Sequence, residues 1–223
     1  MTTDDVVSAL VRDLKPVAPL PAPGVRAWHW SLVAAVIGGL AVAGFGLRLD
    51  LAGAASTLSF QAQMVFLVLA TVLAGGAALV LAIPGERLSQ ARRSAPIAAA
   101  LAWGAWLLAE LASAVGSSSA AWAIDSGWGC VAKTMTIAAI PGAALLLMIA
   151  RGAPVDTRRA VMFAALATAG VGALGVEFTC PKTEAMHLLV WHFGPLFVLP
   201  VVAALAGAPL FAMWMRRRQG LRP

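Results

Sequence analysis

Apolar residues in this chain neither alternate with polar ones at the period of a strand nor keep to one stripe of a helix. They run almost unbroken for about 20 residues at a time. Crossing roughly 30 Å of hydrocarbon at 1.5 Å per residue takes about 20 apolar residues, with every backbone group paired inside the helix. Six segments meet that requirement, over residues 28–47, 60–83, 95–115, 130–150, 159–178 and 186–214. Their ends carry ordinary stop signals: Pro84-Gly85 after the second, Gly116 with Ser117 to Ser119 after the third, and Gly152 with Pro154 after the fourth. The sixth is too long for a straight crossing and predicts tilt or a kink at Pro195, Pro200 or Pro209.

The first 27 residues follow another pattern. Val7, Leu10, Val11 and Leu14 recur at i, i+3, i+4 and i+7, while Asp4, Asp5, Ser8, Arg12 and Lys15 face away. This predicts an amphipathic helix over about 3–15, capped by Thr3, with Asp4 and Asp5 at its positive end and Pro16 as its stop. Fewer than four turns do not hold a helix alone in water, so the stripe must find a cover. A helix lying on a membrane usually has a basic polar face. Here Asp4, Asp5 and Asp13 stand against Arg12 and Lys15, which favours a protein partner. Pro16, Pro19, Pro21 and Pro23 then make residues 15–26 an extended spacer of up to roughly 35 Å. The expected organisation is residues 1–27 as helix and spacer, 28–214 as an all-α bundle of six transmembrane helices, and 215–223 as a basic tail.

Composition agrees: 61% of the 223 residues are hydrophobic, 12% are charged and the mean hydropathy is +0.86. Soluble chains carry about 25% charged residues. The disordered and disulfide-dense secreted classes are excluded as well. A formal charge of +6 and a pI near 10.7 resemble the footprint of a nucleic-acid binder, but the positions of the charges say otherwise. The first 27 residues hold acids and prolines where a cleavable signal would need a short apolar core, so the amino terminus is expected to stay in the cytoplasm. Six crossings then put 13 of the 16 cations inside, namely Arg12, Lys15, Arg26, Arg87, Arg92, Arg93, Arg151, Arg158, Arg159, Arg216, Arg217, Arg218 and Arg222. Only Arg48, Lys133 and Lys182 fall outside. Retained loops are enriched in Lys and Arg, so this split orients the chain in its membrane with both termini cytoplasmic. The cations are topology signals against an anionic leaflet, and direct nucleic-acid binding is not expected.

That orientation pairs the two cysteines. Cys130 opens the fourth crossing and Cys180 follows the fifth, both at the outer surface, which in a bacterial chain would face an oxidising compartment. A bond between them would need Cα atoms within about 7 Å. Two readings stay open: a structural staple closing a loop of about 50 residues, worth about 4 kcal/mol in the chain-entropy model, or a switchable thiol pair whose bonding or metal capture moves two helices. Glu177, His187 and His192 collect on the same side, with Glu110 about one turn below it. Carboxylates in a bilayer cost roughly 3 kcal/mol on insertion scales and are often functional. Two thiolates with one or two imidazoles make a borderline-soft donor set. The spacing is no metal signature, because there is no CxxC or HExxH, and residues five apart on an α-helix stand about 140° apart rather than on one face. No obligatory cofactor is expected, only a transient soft or borderline ion at the cysteines. Trp122, Trp128 and Trp191 fit an interfacial aromatic belt, and the many glycines and alanines read as close helix packing.

The chain resembles the NrsF-type anti-sigma factors, the negative regulators of sigma factor F. The resemblance rests on Thr3-Asp4-Asp5 leading to Asp13-Leu14-x-Pro16-Val17, a proline-rich stretch and Arg26. It rests further on six crossings, two outer cysteines, and Cys180-Pro181 leading to His187, Trp191 and His192 and ending at Trp214 before Arg216. It implies sequestration of an extracytoplasmic-function sigma factor at the membrane, relieved when the cysteine pair meets a metal or an oxidant. Cys130 and Cys180 carry over by position. The partner surface of Asp4, Asp5, Val7, Leu10, Val11 and Leu14 comes from the helix reading instead. A membrane thiol oxidoreductase would show a CxxC pair, and a hydrolase would show a nucleophile motif. A small transporter would show paired broken helices with charge near the midplane, whereas Glu110 stands alone and off centre. A purely structural subunit leaves the amino-terminal helix unexplained.

Overall fold

The structure is a computed structural model and describes residues 2–12, 19–115 and 126–218. Every regular element among the described residues is helical: α1 Thr3–Arg12, α2 Pro23–Phe45, α3 Leu51–Ala55, α4 Leu58–Leu81, α5 Gln90–Val115, α6 Trp128–Ala150, α7 Thr157–Glu177 and a long α8, Ala185–Arg218. All but α1 and the five-residue α3 are long and apolar enough to cross a membrane, as a multi-pass membrane protein requires. The helices start one to five residues before the apolar runs, and three of them open on a side-chain cap. Thr57 Oγ1 accepts the Phe60 N–H at the start of α4, Ser89 Oγ that of Arg92 before α5, and Asp156 Oδ1 that of Arg159 before α7. At the other end of α2, Gly46 takes φ +85° and returns its N–H to Val42, a left-handed stop that favours glycine.

α7 is the axis of the bundle. It packs most extensively on α4, then on α8 and α6 and less on α2, and is buried along most of its length. Its sequence explains this, because ATAGVGALG offers small residues on every face. Lipid supplies little hydrophobic drive between helices, so close van der Waals packing holds them together. A Cβ at Gly170 would overlap Thr71 of α4, and one at Gly172 would overlap the Thr134 carbonyl of α6. Trp30 ties three helices: its ring lies where a Cβ on Gly75 of α4 would stand, and its indole N–H donates to the Pro141 carbonyl of α6 at 3.0 Å. Arg26, read from sequence as an inner-side cation, is buried and donates to the Met148 carbonyl near the end of α6.

One expectation needs correction. α1 is capped by Thr2 rather than Thr3. The Thr2 hydroxyl accepts the Asp5 N–H while the Asp5 carboxylate accepts the Thr2 N–H at 2.8 Å, a reciprocal capping box. That bond from the Thr2 N–H holds the Asp5 carboxyl below its ordinary value. The sixth crossing accommodates two of its three prolines by π-helical turns at Leu188–Phe193 and Ala203–Gly207, while Pro200 lies inside an α-helical stretch. Each ends two residues before a proline, Pro195 and Pro209. A proline ring clashes with the carbonyl four residues back, and a widened turn supplies the room.

Candidate functional site

Three elements converge at one end of the bundle. α6 begins with Cys130 in its first turn. The chain leaving α7 makes one last turn, with the Thr179 and Cys180 N–H groups donating to the Val176 carbonyl at 2.9 and 2.8 Å. The first turns of α8 carry His187 and His192. Both cysteines are free thiols; Cys180 is buried and Cys130 half-buried. The Cys130 thiol donates to Cys180 Sγ at 3.4 Å, and His187 Nε2 lies 3.7 Å from each sulfur. Chiefly that bond from Cys130 holds the Cys180 thiol below its usual range, against the opposing cost of burial, with the His192 ring and the Lys182 N–H adding to it.

His192 is wholly buried and its Nδ1–H donates to Glu177 Oε1 at 2.6 Å, a carboxylate that is itself 2% exposed. The opposite ring nitrogen, Nε2, is buried and makes no hydrogen bond, and neither does His187 Nδ1. Among the described residues, donor atoms of Cys130, Cys180, His187 and His192 all lie within 4.8 Å of one another. This convergence corrects the sequence reading that residues five apart cannot share a face. The π turn at 188–193 follows an i→i+5 period, so His187 and His192 come together with ring centroids 5.4 Å apart. Phe193 of the same turn fills the space over Gly104 of α5 and stands edge-on to Trp103.

A second device fixes the segment that carries Cys180. Arg48 follows α2; its backbone N–H donates to Phe178 at 2.9 Å, and its guanidinium donates to the Pro181 carbonyl at 3.2 Å and twice to Asp50 at 2.8 Å. Its side chain is 1% exposed. Lys133, one turn into α6, reaches the Thr179 carbonyl at 3.3 Å. Sequence reasoning counted Arg48 and Lys133 only as outer cations; the nearby Asp50 was the available hint. Arg48→Gln is expected to loosen the Cys180 loop and slow oxidant-driven cross-linking of the two cysteines several-fold, as read by non-reducing electrophoresis. The same ion pair has a pH signature. The bond from Arg48 holds Asp50 below its ordinary carboxyl value, so its contribution is complete above that ordinary value and fades as pH falls through the lowered one.

Beside the thiols a cavity of about 530 Å³ is lined by Asp50, Glu110, Glu177 and Glu184 against Arg48 and Lys182. Glu110 is held by the Trp106 indole N–H, one turn before it on α5, at 2.9 Å. Trp191 packs on Gly127, with Trp128 edge-on at 5.1 Å; Trp122 lies outside the described residues. The other residues singled out by sequence sit apart from this site, on α1. Asp4, Asp5, Val7, Leu10 and Val11 are not buried there, with Val7 51%, Leu10 66% and Val11 57% exposed. Leu14 lies outside the described residues.

No curated protein and no solved structure matches the chain. A family match does exist, to NrsF, negative regulator of sigma F, over residues 10–214. It takes in all six long apolar helices nearly to the end of α8 and every residue of the thiol–imidazole site, so this chain belongs to the negative regulator of sigma F family.

Proposed function

We propose that this membrane protein holds an extracytoplasmic-function sigma factor at the cytoplasmic face of a bacterial inner membrane, and releases it when Cys130 and Cys180, facing the periplasm, meet a metal or an oxidant. Membership of a regulator family supplies the general role, negative regulation of a sigma factor. The observation that carries the sensing reading is the pair of free thiols 3.4 Å apart, one on α6 and one on the chain leaving α7. A change in their bonding acts on the contact between α6 and the axis of the bundle. α7 runs the full depth of that bundle, so a shift at its Glu177 end is carried to its Thr157 end as a rigid element. Such a switch needs two packed states only a few kcal/mol apart.

The cytoplasmic surface in this reading is α1. Its exposed Val7, Leu10 and Val11 form an apolar stripe for a groove on the partner, flanked by Asp4 and Asp5. The proline-rich spacer tethers that helix to α2, keeping its effective concentration at the membrane face high. A soft or borderline cation at the cysteines would draw on thiolate and imidazole donors.

The test is affinity capture from membranes of unstressed and stressed cells. The intact protein is expected to bring down a sigma factor from unstressed cells and to lose it after cadmium or peroxide. A version lacking residues 2–12 is expected to bring down at most a tenth as much. Absence of any sigma factor from the intact sample overturns the reading.

A further inference from the structure

We infer that Cys130, Cys180, His187 and His192 form a four-ligand tetrahedral site for a thiophilic divalent cation of the zinc–cadmium class. Glu177 fixes the fourth ligand, and the acidic cavity beside it is the route of access. The inference rests on the proposed sensing role of the cysteines and decides between its two signals, making the bound cation the primary one.

Geometry carries the argument. Around a tetrahedral zinc with bonds of about 2.3 Å to sulfur and 2.0–2.1 Å to nitrogen, two sulfurs stand about 3.8 Å apart and a sulfur and a nitrogen about 3.6 Å. The two sulfurs here are 3.4 Å apart and His187 Nε2 is 3.7 Å from each, so three edges of the tetrahedron are formed to within about 0.4 Å. The fourth donor is His192 Nε2, wholly buried and making no hydrogen bond. Burying a polar nitrogen without a partner is unfavourable, and a cation removes that cost. The opposite nitrogen of the ring already donates to Glu177, the carboxylate–histidine arrangement that fixes the tautomer of a metal-binding imidazole and raises its basicity.

Access and charge fit the same ligand. Glu177 both bonds His192 and lines the 530 Å³ cavity, where Asp50, Glu110 and Glu184 add three further carboxylates against Arg48 and Lys182. A route with excess negative charge concentrates cations. Two thiolates and two neutral imidazoles on a divalent ion sum to zero charge, which suits a buried position. A hard cation such as magnesium or calcium would want oxygen donors and finds none in the group.

The experiment uses the full-length protein in detergent under reducing conditions and titrates it with cadmium chloride. One equivalent is expected to bind and to give the ultraviolet thiolate-to-cadmium charge-transfer band, with a ¹¹³Cd resonance in the range of two sulfur and two nitrogen ligands. Glu177→Gln keeps all four donors and is expected to weaken binding about 10- to 100-fold. His192→Ala is expected to move the ¹¹³Cd resonance out of that range. A resonance showing two sulfurs without nitrogen, unchanged by His187→Ala and His192→Ala, overturns the site, as does a reduced protein that binds no cadmium. Sigma-factor capture on the same preparations reports separately on the proposed function, because it requires no metal.

Discussion

Cys130→Ser and Cys180→Ser are each expected to return stress-induced transcription to its uninduced level while leaving capture of the sigma factor intact. A hydroxyl replaces a thiol with little change in volume, and Cys130 is only half-buried, so neither substitution opens a cavity. The chemistry lost is specific, since a hydroxyl forms no disulfide and is a poor ligand for soft cations. Cys180 is the thiol held low, by the bond from Cys130, and a serine hydroxyl at 130 can still donate to it. Cys130→Ser should therefore keep a readily ionised thiol at Cys180, buried though it is. The pH dependence of its labelling by a small alkylating agent in detergent measures this, and a transcriptional reporter measures the response. Normal induction in both variants would reduce the pair to a structural element.

Gly172→Ala is expected to have the largest effect on stability of any single methyl added to the bundle axis. A Cβ there would overlap the Thr134 carbonyl, a backbone atom of α6 that cannot rotate away, and would stand 2.7 Å from Thr134 Cγ2. Forcing a methyl into a full core typically costs about 1–3 kcal/mol. Thr134 lies one turn beyond Cys130, so the wedge opens the α6–α7 contact beneath the thiols. Lower thermal stability in detergent and slower oxidative cross-linking of Cys130 with Cys180 should appear together. Gly175→Ala is the control: its Cβ meets Ile137 Cδ1 at 2.5 Å, the far end of a side chain that can change rotamer. Equal losses at the two positions would remove the backbone-contact argument.

Much of the fold was legible because hydrocarbon thickness and backbone pairing leave a bilayer chain few options. Six uninterrupted apolar runs became six long helices, displaced at their starts by one to five residues, in some cases by a polar capping turn such as Thr57 to Phe60. The cysteines were also legible as neighbours, since orientation alone brings the start of α6 near the end of α7. The imidazoles were not. Their five-residue spacing excludes a shared α-helical face, and no hydropathy pattern marks where a helix widens. Arg48 was missed for another reason. A cation just outside an apolar run reads as a topology signal, and its bonds to Phe178 and Pro181 join residues 130 or more positions apart in sequence.

The widened turns of α8 have a consequence for the far end of that helix. Each is equivalent to one residue inserted into an α-helix, and one residue is about 100° of rotation. Two insertions turn everything beyond Ala208 by about 200° relative to an uninterrupted helix. The cluster in which Phe211 stacks on Trp214 and Arg218 lies over Trp214 therefore points nearly opposite to where a helical wheel drawn from His187 would put it. The histidine pair and the aromatic–basic tail thus occupy one continuous helix in two independent rotational frames. Deleting a residue within 203–207 would re-aim the second frame without touching the first.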